Sequence, residues 1–152
     1  MNRLNELLSP LNIELSTKQL DQFQKYYEIL IEWNKVMNLT GITEFDDVLR
    51  KHFVDSLSII RVLDFQNINS VIDIGTGAGF PGIPLKIAFP HLDIVLLDSL
   101  NKRLKFLNHV IDELDLIDIR TIHGRAEDFA KQNTPQSVKE IMTERNNDKR
   151  KN

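Results

Sequence analysis

Apolar positions in the N-terminal third of the chain recur with helical spacing. Leu4, Leu7, Leu8 and Leu11 fall three or four residues apart, which predicts a short amphipathic helix. A second helix is predicted from Ser16, with Gln19 three residues on as the partner in a capping box. Its stripe is Leu20, Phe23, Tyr27, Leu30 and Ile31, and it is expected to end near Trp33. Thr43 is the expected cap of a third helix, with Asp46 in its first turn and Phe45, Val48, Leu49, Phe53, Leu57 and Ile60 along one face.

The period changes at Ser70. Val71-Ile72-Asp73-Ile74 and Ile94-Val95-Leu96-Leu97 are short β-branched runs, the first stopped by glycines and the second by Asp98. Near-continuous apolar strands are buried on both faces, as in a parallel sheet. A helix from Pro84 to Phe89, ended by Pro90, lies between them. A further helix from Asn101 to Leu114 has the stripe Leu104, Leu107, Val110, Ile111 and Leu114, and a third strand is expected around Ile117 to Ile122. Strand, helix, strand, helix, strand implies an α/β fold with right-handed parallel crossovers. The expected organisation is therefore a helical extension over 1–66, an α/β core over 67–131 and a polar tail over 132–152. The tail has too few hydrophobes to offset its ordering entropy and is expected to be disordered.

Composition narrows the class. The chain has 152 residues, 41% hydrophobic and 27% charged, as in a soluble globular protein. No apolar run approaches a membrane span, and the N-terminus, Met1-Asn2-Arg3-Leu4, does not read as a signal peptide. Cysteine is absent, which excludes disulfides and thiolate metal sites and fits a reducing cytoplasm. The four histidines, His52, His91, His109 and His123, lack metal-ligand spacing, so no metal is expected. A formal charge of −3 argues against a generally basic nucleic-acid binder and leaves room only for a local patch.

The chemistry is concentrated in Asp73-Ile74-Gly75-Thr76-Gly77-Ala78-Gly79-Phe80-Pro81-Gly82. Here a buried strand runs into three glycines spaced two apart and then into a helix. Glycine permits positive φ and lets the backbone approach a ligand closely. Asp98, ending the next strand, is placed to accept ribose hydroxyls, with Ser99 beside it. A dinucleotide fingerprint counted from the first loop glycine, Gly75, requires glycine at its sixth position, where this chain has Phe80. The loop thus suits S-adenosyl-L-methionine better than NAD(P), and an NAD(P)-binding oxidoreductase is the weaker alternative.

The residues then resemble a known family, the bacterial small-subunit ribosomal RNA guanine-N7 methyltransferases, also called glucose-inhibited division protein B. The resemblance runs from about Leu4 to Ala130. Its most distinctive blocks are Trp33-Asn34-Lys35-Val36-Met37-Asn38-Leu39-Thr40 and Lys51-His52-Phe53-Val54-Asp55-Ser56-Leu57. Gly75 to Leu85, Leu97 to Arg103 and Gly124-Arg125-Ala126-Glu127 belong to it as well. The resemblance implies a Rossmann-like S-adenosylmethionine-dependent methyltransferase fold with an N-terminal helical extension and strands in the order 3-2-1. It implies a cofactor site at Gly75, Thr76, Gly77, Ala78, Gly79, Phe80, Asp98, Ser99, Ala126 and Glu127. Asn38, Thr40, His52, Asp55 and Ser56 would lie on the substrate side. The implied partner is small-subunit ribosomal RNA or the small ribosomal subunit, with no membrane and no metal, in a cytoplasmic protein that is a monomer if complete.

No catalytic residue is assigned, because guanine N7 carries a lone pair and no proton. Trp33 also reads as a core anchor, His52 as a hydrogen-bonded structural residue, and Arg50-Lys51 and Lys102-Arg103 as solvated faces. The resemblance stops after about Ala130, where the family's fourth strand is not found. The expected fold is therefore truncated, with the edge of the first strand unpaired. A non-catalytic remnant with weak or no cofactor binding is the alternative from outside the enzyme class.

Overall fold

The computed structural model describes residues 1–128, and the tail expected from Gln132 onward lies outside them. Helix α1 (Asn2–Leu8) passes into the 3-10 turn Ser9–Leu11, and buries Leu4 and Leu8. Helix α2 (Thr17–Met37) starts with the expected capping box. The Gln19 N–H donates to Ser16 Oγ at 3.2 Å, and the Ser16 N–H donates to Gln19 Oε1 at 2.8 Å. Gln19 Nε2 also donates to the Ile87 carbonyl at 2.9 Å, so one side chain starts α2 and ties it to a distant helix end.

Two details of α2 differ from expectation. It continues past Trp33 to Met37, because Asn38 takes the left-handed conformation (φ 49) that usually calls for glycine and closes the helix there. Its buried residues are Phe23, Tyr26 and Leu30, while Tyr27 is only half-buried. Spacing of three and then four residues brings Tyr26 onto the buried face instead of its neighbour.

The third helical region is irregular. Helix α3 (Phe45–Val48) has Glu44, not Thr43, at its N-cap, and no side-chain cap bond forms there. It becomes π-helical over Leu49–Val54, resumes as α4 (Asp55–Leu57) and ends as the 3-10 turn Ser58–Arg61. The wide turn keeps Val48, Leu49, His52, Phe53, Ser56 and Leu57 on the buried side.

Strands β1 (Ser70–Ile74), β2 (Asp93–Asp98) and β3 (Ile119–His123) form a parallel sheet in the order β1-β2-β3, with Ser70 opposite Asp93 and Ile94 opposite Ile119. This is the expected 3-2-1 order viewed from the other edge, and the fold is α/β. Helix α5 (Gly82–Ala88) connects β1 to β2, beginning two residues before the expected Pro84. Helix α6 (Asn101–Glu113) connects β2 to β3 and buries Leu104, Phe106, Leu107 and Val110. The N-terminal helices share one core with the sheet. Phe23, Tyr26 and Leu30 join Ile83 and Leu85 on one side, and Trp33 packs on Phe106 (5.8 Å) and His109 (5.2 Å) of α6. Among the described residues β1 pairs only with β2, and no helix is long and apolar enough to cross a membrane.

Candidate functional site

β1 delivers the chain into the glycine loop at the carboxyl end of the sheet, where ligands of open α/β sheets bind. The N–H groups of Gly75 and Thr76 both donate to the Leu97 carbonyl, at 2.8 and 3.1 Å, which lays the loop across the end of β2. Gly75, Gly77 and Gly79 have φ of 68°, 60° and 97°, in the region that favours glycine. The last two need it for different reasons. A Cβ on Gly77 would meet nothing within 4 Å, whereas one on Gly79 would sit 2.7 Å from Ile83 Cδ1 and 2.8 Å from the Tyr26 hydroxyl. Gly77 therefore offers bare backbone to open space, and Gly79 lets the loop close onto its own scaffold.

That scaffold hangs on two buried groups. Asp73 is fully buried, and its Oδ2 accepts from the Thr76 hydroxyl at 2.6 Å and from the Gly82 N–H at 2.9 Å. The carboxylate thus pins both ends of the loop. The Tyr26 hydroxyl donates to the Ala78 carbonyl at 2.5 Å. Burial pushes the Tyr26 phenol well above its ordinary value of 10.0, and the Asp73 charge acts in the same direction. Neither residue was assigned a role from sequence. Tyr26 was findable, since it stands three residues after Phe23 and four before Leu30. Asp73 stands out as the acid two residues before the first loop glycine, but nothing local says that it bonds the loop's own Thr76 and Gly82.

Asp98 closes the other side. It is buried, its Oδ2 accepts from the Gly77 N–H at 2.9 Å, and its Oδ1 accepts from the Leu100 N–H at 3.0 Å. Arg103 Nη1 lies 3.5 Å from the same Oδ1. A carboxylate has about four lone-pair sites, so a ribose diol would have to add to or displace these donors. Ser99 is exposed just beyond β2, and its carbonyl is 3.0 Å from His123 Nε2. The Gly124 N–H donates to the Asp98 carbonyl at 3.0 Å, so the segment carrying exposed Ala126 and Glu127 leaves β3 beside Asp98.

The structure sorts the expected residues by direction. Gly75, Gly77, Phe80, Ser99, Ala126 and Glu127 reach the surface at least in part. Thr76 and Ala78 turn inward: the Thr76 hydroxyl is bonded to Asp73, and Ala78 is buried with its carbonyl on Tyr26. Of the substrate-side set, Asn38 and Asp55 are exposed, while Ser56 is sealed, with 0% exposure and no hydrogen-bond partner for its Oγ among the described residues. His52 is buried, with Nε2 2.7 Å from Thr40 Oγ1 and its ring stacked on Phe80. Among the described residues no cluster of His, Cys, Asp or Glu could hold a metal ion.

The arrangement fits a nucleoside cofactor: bare backbone at Gly77 with a carboxylate beside it at the strand ends. Comparison with known proteins gives the family. Residues 19–145 match the family model described as rRNA small subunit methyltransferase G. Three curated relatives, each named ribosomal RNA small subunit methyltransferase G, are similar over most of the chain. The protein from Lachnoclostridium phytofermentans is 55% identical over 124 residues, covering 82% of this chain and 51% of the relative. That from Lysinibacillus sphaericus is 49% identical over 140 residues, covering 92% and 59%. That from Staphylococcus epidermidis is 55% identical over 128 residues, covering 84% and 54%. The chain thus spans about half the length of the curated relatives it matches. A precorrin-6y C5,15-methyltransferase from Geobacter metallireducens (21% identical, 57% of this chain and 42% of that one) and a coclaurine N-methyltransferase (13%, 81% and 45%) superpose with a TM-score of 0.43 each, too loosely to carry an argument. On the family match and the identity to these relatives, the chain belongs to the rRNA small subunit methyltransferase G family.

Proposed function

We propose that the glycine loop binds S-adenosyl-L-methionine, and that the protein transfers its methyl group to guanine N7 of small-subunit ribosomal RNA. The observation that carries the proposal is the open space at Gly77, whose N–H is held by Asp98 at the end of β2. A side chain there would occupy the position that a ligand pressed against the backbone would take. The family membership supplies the reaction class.

When bound, the cofactor supplies a methyl group activated on a sulfonium. Gly75 and Gly77 let the ligand approach the main chain. Asp98 has the acceptor chemistry to hold a ribose, its loop contact with Gly77 giving way or sharing. Ala126 and Glu127 stand at the base-binding end, and Phe80 forms a wall beside the loop. Guanine N7 has no proton to remove, so these residues orient and exclude water without a general base. Rate would come from alignment of the reacting atoms and from electrostatic support of the guanine as it becomes cationic. Asn38 and Asp55 are the exposed members of the substrate-side set.

Calorimetry on the isolated chain tests the first half. Saturable binding of S-adenosylhomocysteine and none of NAD is expected; the reverse would overturn the loop assignment. Transfer of labelled methyl to small-subunit particles, beside a full-length relative, tests the second half.

A further inference from the structure

Thr40 and His52 were expected beside the substrate, yet Thr40 bonds to His52 and the His52 ring stacks on Phe80 of the glycine loop. We propose that the pair is a strut that fixes Phe80 and, through it, the ligand-facing half of the loop. On this view both are positioning residues for the cofactor, not contacts for RNA. The inference rests on the cofactor reading given above.

The strut can be followed atom by atom. Asn34, near the end of α2, accepts the Thr40 N–H on Oδ1 at 2.8 Å. Thr40 Oγ1 accepts the Ile42 N–H at 3.0 Å and lies 2.7 Å from His52 Nε2. The His52 ring then lies flat on Phe80, with centroids 4.3 Å apart and planes 6° apart. His52 is 5% exposed, so the ring is inaccessible to a macromolecule in this conformation.

Phe80 is held from other sides by Tyr26 at 5.7 Å and Phe53 at 6.2 Å, both tilted. His52 makes the only parallel stack of the three, so it sets the ring plane where the others set its depth. The Phe80 N–H donates to the Thr76 carbonyl at 3.2 Å, closing the turn that contains Gly77. Moving the ring therefore moves the turn. The π-helical stretch Leu49–Val54 carries His52 and keeps it on the buried side, where the stack can form.

The test separates binding from folding. Affinity for S-adenosylhomocysteine is measured by calorimetry and thermal stability by scanning calorimetry, for His52→Ala, His52→Phe and Thr40→Val. His52→Ala should weaken binding by about tenfold, the order of one aromatic stack. His52→Phe, which keeps a flat ring, should recover most of that loss, and Thr40→Val should weaken binding by a few-fold. A merely structural role would lower the melting temperature and leave the affinity of the folded protein unchanged. In proton NMR the His52 ring resonances should lie upfield under the Phe80 ring current and move on addition of the ligand. Thr40→Val nearly conserves volume and carries the test if His52→Ala does not fold. Wild-type binding with all three variants unchanged overturns the strut alone. Failure of the wild-type chain to bind overturns the cofactor reading and the purpose of the strut together.

Discussion

The two halves of the glycine loop are built to opposite specifications. The outer half, Gly75 to Gly77, lies across the end of β2, and at Gly77 an added Cβ would meet nothing within 4 Å. The inner half, Gly79 to Gly82, is packed so closely that an added Cβ would strike Ile83, Tyr26, Leu96 or Asp73. Glycine thus appears in one short loop for two reasons: at Gly77 it leaves bare backbone facing open space, and at Gly79 and Gly82 it allows close packing of a scaffold. A letter pattern treats these positions alike. On the proposed reading, loss of cofactor binding and loss of fold should separate along the loop, one residue pair at a time.

Substitutions can break that separation. Gly82→Ala should have the largest effect on stability, because its Cβ would collide with Leu96 and sit 2.9 Å from the buried Asp73 carboxylate. A loss of about 2–3 kcal/mol is expected in urea unfolding, typical of overpacking. Tyr26→Phe leaves the Ala78 carbonyl without its donor and should lower stability by about 1–2 kcal/mol in the same assay. Gly77→Ala meets no atoms and suffers only the strain of φ 60°, about 1 kcal/mol. Its affinity for S-adenosylhomocysteine should nevertheless fall at least about tenfold, and Gly77→Val should abolish binding. If Gly77→Val binds like the wild type, the outer half is not the ligand face.

A smaller effect sharpens the inner half. The Tyr26 phenol has a raised pKa in the folded state, so the fold holds that proton more tightly than the unfolded chain does. The corresponding stability is present below the ordinary value of 10.0 and is lost as pH rises above it. Urea midpoints of the wild type should therefore fall relative to those of Tyr26→Phe above about pH 10. Parallel curves would mean that the phenol is not sealed behind the loop.

Much of this was legible along the chain. The capping box of Ser16 and Gln19, the two buried strands with their parallel crossovers and the glycine loop with Asp98 at the next strand end follow from local pattern, and the strand order from the family resemblance. The irregular region from Phe45 to Arg61 was less so, because a π-turn shifts which residues face inward and no local signal announces it. The inward turn of Thr76 and Ala78 was not legible either. Side-chain direction in a loop depends on what lies beneath it, and here that is Asp73 and Tyr26, from a strand and from a helix about fifty residues earlier.

The sequence by itself determined the class of the protein: the periods of its helices and strands, the glycines that need positive φ, and the blocks that place it in its family. Those are properties of neighbouring residues, so they survive without tertiary context. Only the folded structure decided which glycine faces open space, which carboxylate pins the loop and which closes the strand end, and that the His52 ring stacks on Phe80. Each of these depends on atoms far apart in the chain, brought within a few ångströms by burial of the shared core.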